Sequence, residues 1–126
     1  MKITHMFTGP NGQTQFRELD IPTSLASSSG RQATDALPCI GAGLGEGTLP
    51  RAQLDYHNAP RRQMVAVLIG GIEIQTGDGT AREFHPGDIF LADDLTGQGH
   101  KTRDLAVPTR VLYVYVPEDF DAGAWA

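Results

Sequence analysis

Short apolar segments separated by glycine turns dominate the chain, and they constrain its fold more than any other feature. The stretch MVAVLIGGIEIQT, residues 64–76, is apolar up to Gly70-Gly71 and then alternates between apolar and polar residues. Continuous apolarity predicts a strand buried on both faces, and alternation predicts a half-exposed strand. RVLYVYV, residues 110–116, also has a period of two. The sequence therefore predicts a core made of β-strands.

Further strands are predicted at the N-terminus. ITHMF and QFRELDIP flank the turn Gly9-Pro10-Asn11-Gly12, whose Asn-Gly pair favours a hairpin. A weak helical pattern occurs only in the C-terminal EDFDAGAWA. The chain of 126 residues has the length of one domain, and the pattern predicts an all-β barrel or sandwich. Its predicted parts are N-terminal strands (1–22), a Ser- and Thr-rich loop (23–36) and a barrel core (37–117).

Charge and composition exclude several functions. The formal net charge is −5, and the basic residues are scattered, so nothing matches the basic surface that nucleic-acid binding needs. No apolar run approaches the roughly 20 residues that span a bilayer, and the first residues lack the pattern of a signal peptide. The single Cys39 cannot form an intrachain disulfide, which fits a reducing compartment. We therefore expect a cytoplasmic protein that binds neither nucleic acid nor membranes.

Two segments place polar side chains beside the apolar strands. HNAPRRQ runs from His57 to Gln63, directly before the strand that starts at Met64. DDLTGQGH follows the apolar IFLA and ends at His100. Polar groups that flank neighbouring buried strands are expected to meet in one pocket, where a few of them can bind or convert a ligand.

These segments resemble the two motifs of the cupin superfamily, and the chain is similar to small single-domain cupins with HNAPRRQ and DDxTGxGH stretches. Relative to the first cupin motif, Arg51 replaces a glycine, Ala59 the second histidine and Gln63 the glutamate. The second motif retains a Pro-Gly-Asp turn and ends in Gly97 and His100. Leu95 stands in place of a proline, and Asp104 in place of an asparagine. The resemblance implies a double-stranded β-helix, or jelly roll, that closes into a barrel.

The resemblance also implies a metal site, which is one of two alternatives for the chemistry. Cupins commonly hold a metal ion with three histidines and a glutamate, whereas this chain has only His57, His100 and the neutral Gln63. Asp55 lies two residues before His57, so on a strand both side chains would point to the same face. A His-Asp-Gln-His set would suit a divalent metal, namely iron, manganese, zinc or nickel.

The other alternative is metal-free acid-base catalysis. Burial in an apolar barrel disfavours the charged imidazolium, so at least one histidine is expected to be neutral and able to act as a base. Isomerase, epimerase, dehydratase or cyclase chemistry would follow, with His57, His100 and Gln63 as catalytic residues. The expected substrate is a small organic molecule, with a carboxylate as one option, and arginines would bind that group. The predicted substrate-binding residues are Tyr56, Arg61, Asp94 and Tyr113, and Arg62 and Arg103 are further candidates for an anionic group. The other histidine, Tyr56, Tyr113 or Tyr115 would return the proton.

Alternatives of another class remain open at this point. The barrel can bind or sense a small molecule without turnover, or it can retain the fold alone as an accessory protein. In one alternative, Asp93 and Asp94 have no role in a site and simply cap the turn before Thr96. Arg61 and Arg62 can form an ordinary solvated pair. A homodimer is expected, because the N-terminal hairpin has edges that pairing would protect, and His5 is expected at the surface or at that dimer edge.

Overall fold

A computed structural model describes residues 1–25, 30–50 and 55–126. Strands dominate these residues, and the single short helix is a 3-10 turn over Ala122–Trp125. The all-β class predicted from the sequence is therefore confirmed. Arg51, at the first position of the predicted motif, and residues 26–29 of the predicted loop lie outside the described residues. The strands are β1 (Lys2–Thr8), β2 (Thr14–Asp20), β3 (Thr23–Leu25), β4 (Gln32–Thr34), β5 (Gly41–Gly47), β6 (Gln63–Thr76), β7 (Ala81–Phe84), β8 (Ile89–Asp93) and β9 (His100–Tyr115).

Seven of these strands form one mixed sheet in the order β2-β1-β8-β6-β9-β5, with β7 paired to the second half of β6. The β1–β8 pair is parallel and the others are antiparallel. The predicted closed barrel is not observed. Closure requires the end strands of a sheet to pair with each other, and within the described ranges β2 and β5 do not. The N-terminal hairpin extends one end of the sheet instead.

The two longest strands, β6 and β9, pair along most of their length but change register in the middle. Gly70 lies at this irregularity with a φ of +77°, and a Cβ there would be 2.7 Å from the carbonyl oxygens of Ala106 and Pro108. Glycine therefore permits both the left-handed conformation and the close approach of the backbones. Side chains from both halves of β6 and β9 line the same cavity, so the two strands curve around it.

Apolar residues form a separate core on each face of the curved sheet. The inner core combines residues of both halves of β6, such as Val65 and Ile74, with the adjacent, tilted rings of Phe84 and Phe90, whose centres are 4.4 Å apart. The outer core contains Leu19, Met64 and Leu91 and is covered by Phe120 and Trp125 of the C-terminal segment. The short C-terminal helix therefore stabilises the sheet by burying apolar surface on the face away from the cavity.

A polar network connects this C-terminal segment to the N-terminal hairpin. Asp93 accepts hydrogen bonds from Arg62 at 2.6 Å and from His5 at 2.9 Å, and Arg17 donates to the other ring nitrogen of His5. Arg62 also donates to the carbonyl oxygens of Glu118 and Phe120. Burial would raise the pKa of Asp93, but the hydrogen bonds from His5 and Arg62 outweigh burial, and the pKa is lowered. The expectation of a surface position for His5 is wrong, because its side chain is buried in this network.

The remaining elements lie outside the main sheet. Residues 23–36 were predicted as a loop, but they contain the short antiparallel pair β3–β4, in which Thr23 lies directly opposite Thr34. Threonine favours strands because its β-branched side chain packs well on a pleated surface. Of the residues that the structure describes, none belongs to a helix long and apolar enough to span a membrane.

Candidate functional site

A cavity of about 540 Å³ lies between the two halves of the curved sheet. Its size is within the range of small-molecule sites, and its walls combine apolar side chains with a limited number of polar groups, as such sites usually do. Alternate residues of the strands line it, since successive side chains of a strand point to opposite faces. Its polar and charged lining residues are Glu46, His57, Arg61, Gln63, His100, Thr102, Asp104, Thr109, Tyr113 and Tyr115.

His57 and His100 are direct neighbours in this wall. Their backbones form a two-residue antiparallel bridge with N–H···O distances of 3.0 and 2.9 Å, and their ring centres are 4.5 Å apart. Gly99 makes the bridge possible, because a Cβ at this position would lie 2.1 Å from the carbonyl oxygen of His57. The two imidazoles predicted to share a pocket therefore lie side by side, although they belong to distant parts of the chain.

Asp94 fixes the orientation of His100. Its side chain is completely buried, and its Oδ2 atom is 2.5 Å from Nδ1 of His100 and accepts a 2.9 Å hydrogen bond from the hydroxyl of Thr14. Because a carboxylate only accepts hydrogen bonds, Nδ1 of His100 carries a hydrogen, and in the neutral imidazole Nε2 then has the free lone pair. None of the described residues hydrogen-bonds to this Nε2, which is the ring nitrogen left for a ligand.

His57 is oriented by the backbone. Its Nδ1 atom lies 3.3 Å from the carbonyl oxygen of Asp55, and a carbonyl only accepts, so Nδ1 is again the protonated nitrogen. Nε2 of His57 is thereby also a lone-pair donor. Two neighbouring imidazoles in this form can each accept a proton from, or coordinate, the same ligand.

Another part of the wall is formed by two rows of directly paired residues. Gln63 on β6 lies opposite Ala92 on β8 and Tyr115 on β9, and Val65 and Tyr113 form the next row that faces the cavity. Arg61 lines the cavity beside this row, and its guanidinium carbon is 4.3 Å from the centre of the Tyr115 ring. Gln63, Tyr113 and Arg61 are therefore all in position to contact a ligand, as their predicted roles require.

Other predicted site residues lie away from the cavity. Asp55 is exposed and does not line it, so the condition for a fourth ligand, an inward-facing Asp55, is not met. Tyr56 points its hydroxyl at the carbonyl of Thr76, 3.5 Å away, and Asp94 lies behind His100 without lining the cavity. Arg62 is engaged by Asp93, and Arg103 donates two hydrogen bonds to Glu73.

The donors in the cavity do not fit a firm metal site. His57, His100 and Gln63 supply two imidazoles and one neutral amide, whereas catalytic zinc usually has three strong protein ligands. The described part of the chain also contains no group of three His, Cys, Asp or Glu side chains arranged to hold an ion. The buried Asp94 behind His100 is typical of the carboxylates that support metal-bound histidines, but the same pair equally orients a histidine that acts as a base.

Several residues of the site were not found from the sequence. Thr14 is 80 residues from Asp94 in the chain, and no local pattern indicates their contact. Glu46 lines the cavity from β5 and binds Arg110 at 2.5 Å. A recognisable signal was present in β5, whose residues 41, 43, 45 and 47 are all glycine. Glycine at every second position indicates a strand face that another group approaches closely, here the rings of Tyr113 and Tyr115.

The chain matches no protein-family model. A comparison with curated proteins likewise yields no match. The resemblance to cupins therefore depends on the motif residues quoted above, and function must be inferred from the geometry of the site.

Proposed function

We propose that the protein is an enzyme that moves a proton within a small organic molecule bound in the cavity, with His100 as the general base. The observation that carries this proposal is the hydrogen bond between His100 and the buried Asp94. A carboxylate on Nδ1 holds the imidazole in the form whose Nε2 accepts a proton, and it stabilises the imidazolium that results. The partly apolar cavity wall would limit competition from water for that proton.

The position of His57 supports a more specific reaction type. In the proposed reaction, Nε2 of His100 removes a proton from a carbon or hydroxyl group of the ligand. In an isomerisation the proton returns to a neighbouring carbon; in a dehydration it goes to a neighbouring hydroxyl group, whose C–O bond breaks so that water leaves as the C=C bond forms. Since the ring centres are 4.5 Å apart on one wall, both imidazoles would act on the same face of the ligand. This favours an isomerase or a dehydratase over a two-base epimerase, which removes a proton from one face of a carbon and adds a proton to the opposite face. Gln63 and Tyr113 would hold the polar groups of the ligand.

The fold is compatible with a more specific assignment. Two long curved strands that surround a cavity, with histidines on its wall, are what a small cupin would also have. We therefore also propose that the fold is the double-stranded β-helix of that superfamily. A metal-dependent enzyme, with a divalent ion bound by His57, His100 and Gln63, is less well supported by these donors than the metal-free enzyme. Metal analysis of protein purified without added metal would test it.

Solvent deuterium exchange tests the proton transfer. The protein would be incubated in D₂O with aldoses, 2-oxo acids and β-hydroxy acids, which have acidic C–H bonds, and exchange would be followed by proton NMR. We expect exchange into at least one compound, a loss of about 10²-fold or more in His100→Gln, and a comparable loss in Asp94→Asn. His85→Gln is the matched control, because His85 is exposed, pairs with Glu83 and does not line the cavity.

Two results would contradict the proposal. Equal exchange in the wild type and in His100→Gln would show that His100 is not the base. Compounds that bind in the cavity without any exchange would instead identify a small-molecule-binding protein without turnover, which is the alternative function.

A further inference from the structure

Arg61 differs from the other arginines near the cavity in having no acidic partner within the described residues. Arg62, Arg103 and Arg110 each form an ion pair with a carboxylate. Arg61 instead lies over the ring of Tyr115 and is the one cation among the described residues that line the cavity. A guanidinium that stacks on an aromatic face keeps the N–H groups in its plane available for an anion.

The ring of Tyr115, over which Arg61 lies, has room for its position because β5 presents glycines to it. A Cβ at Gly43 would lie 2.5 Å from the hydroxyl oxygen of Tyr115, and a Cβ at Gly45 would lie 2.9 Å from the ring of Tyr113. The bare face of β5 therefore accommodates both tyrosines against the wall. This arrangement leaves the Tyr115 ring in the position where Arg61 lies over it.

We propose that Arg61, stacked on Tyr115, is the binding site for the carboxylate of the ligand. This inference rests on the proposed function and names its substrate class, a small organic carboxylate. The guanidinium can donate two parallel hydrogen bonds to a carboxylate, and a neutral amide group cannot replace the charge. Gln63, in the same row as Tyr115, supplies a further amide donor next to this position.

The acidic residues of the cavity wall are compatible with an anion at Arg61. Glu46 is neutralised by Arg110. Asp104 lies beyond the irregular middle of β9, in the half of the wall that contains His100 and away from Tyr115. The positive charge of the lining is therefore concentrated at one end, and that end is where the anionic group of a ligand would be attracted.

Pairs of small carboxylates and their primary amides test this site. Butanoate, glutarate and benzoate would each be titrated against the matching amide, and binding would be followed by chemical-shift changes in ¹H–¹⁵N spectra. We expect saturable binding of at least one carboxylate and binding of its amide weaker by about tenfold or more. Arg61→Ala should lose that preference, and Arg61→Lys should retain part of it, because lysine keeps the charge but not the planar fork.

Two matched controls separate the site from general effects of charge and folding. Arg82→Ala removes an arginine that also lies over an aromatic ring, that of Phe16, but does not line the cavity, so binding should not change. Gly43→Ala should weaken carboxylate binding by displacing Tyr115. Gly41→Ala should be tolerated, because its Cβ would make only an ordinary 3.4 Å contact with the same ring.

The proposal is overturned if no carboxylate binds saturably, if amides bind equally well, or if Arg61→Ala binds carboxylates as the wild type does. His100→Gln distinguishes this inference from the proposed function. If carboxylates bind to the wild type and to His100→Gln alike, while deuterium exchange is absent in both, the carboxylate site stands and the catalytic proposal fails.

Discussion

The hydroxyl of Thr14 and the carboxylate of Asp94 meet in the interior, where Thr14 donates a 2.9 Å hydrogen bond to the same oxygen that binds His100. The other carboxylate oxygen, Oδ1, is buried and has no hydrogen-bond partner among the residues that the structure describes. A buried acceptor without a partner lowers stability. Asp94 therefore lowers the stability of the fold at this oxygen, and such a cost is typical of residues at functional sites.

We expect Thr14→Val to destabilise the protein by about 1–3 kcal/mol, because it removes a hydrogen bond to a buried acceptor. It should also slow deuterium exchange, since Asp94 would be less well fixed beneath His100. Urea unfolding and the exchange assay measure the two effects. Thr8→Val is the matched control: it removes a threonine hydrogen bond to the carbonyl of Thr96 that is solvent-exposed. Equal destabilisation by both substitutions would contradict a special role for Thr14.

A second prediction concerns Gly99, whose missing side chain allows the backbones of His57 and His100 to pair without a steric clash. In Gly99→Ala the new Cβ would lie 2.1 Å from the carbonyl oxygen of His57, at a residue with a φ of +81°. We expect the bridge between His57 and His100 to open, with loss of exchange activity and of stability. Gly79→Ala is the control, because Gly79 has a φ of +87° but no atom within 4 Å of its Cβ. It should lose only about 1–2 kcal/mol, the cost of a left-handed conformation for a residue with a Cβ, and a similar loss in Gly99→Ala would show that the clash is relieved easily.

Local sequence patterns predicted the elements of this fold better than their assembly. The alternation around Val111 and Tyr113 and the apolar run from Met64 correspond to β9 and β6, and these patterns depend only on the period of a strand. The open sheet was not predicted. Which strands pair, and whether the two end strands meet, depends on register shifts such as that beside Gly70, which leave no periodic signal.

In the candidate site, too, the features that depend on local sequence were predicted and those that depend on tertiary structure were not. The pocket positions of His57, Gln63 and His100 followed from motif spacing, and all three residues line the cavity. Asp94 was assigned either to a turn or to ligand binding, but the structure places it behind His100. Its partner Thr14 belongs to the N-terminal hairpin, and a contact between such distant segments is a property of the tertiary structure alone. The inward position of Asp55 depended on an extended strand, but among the described residues His57 forms an isolated bridge and Asp55 is exposed outside it.

Gln63→Glu is predicted to raise the affinity for divalent metals. Gln63 is buried in the cavity wall, and a carboxylate there would add an anionic ligand to the two imidazoles. Without metal, the buried charge should lower the melting temperature, and Mn²⁺ or Zn²⁺ should restore it. Calorimetric titration measures the affinity. His57→Ala added to Gln63→Glu should abolish the gain, and unchanged affinity in the single variant would show that residue 63 does not share a ligand with the histidines.

The final prediction concerns stability in acid. Hydrogen bonds from His5 and Arg62 lower the pKa of Asp93 below its ordinary value of 3.8 despite the opposing effect of burial. A carboxyl group with a lowered pKa in the folded state contributes stability above its unfolded pKa and loses that contribution as the pH falls through the folded pKa. Asp93→Asn should therefore be less stable than the wild type near neutral pH.

The difference in free energy of unfolding between Asp93→Asn and the wild type should shrink as the pH falls below the ordinary value of 3.8. Urea unfolding between about pH 2.5 and pH 6 measures this difference. Asp35→Asn is the control, because Asp35 is exposed and has no hydrogen bond to the described residues. A constant difference for Asp93→Asn across this range would mean that the carboxylate does not stabilise the link from the hairpin, through Arg62, to the C-terminal segment.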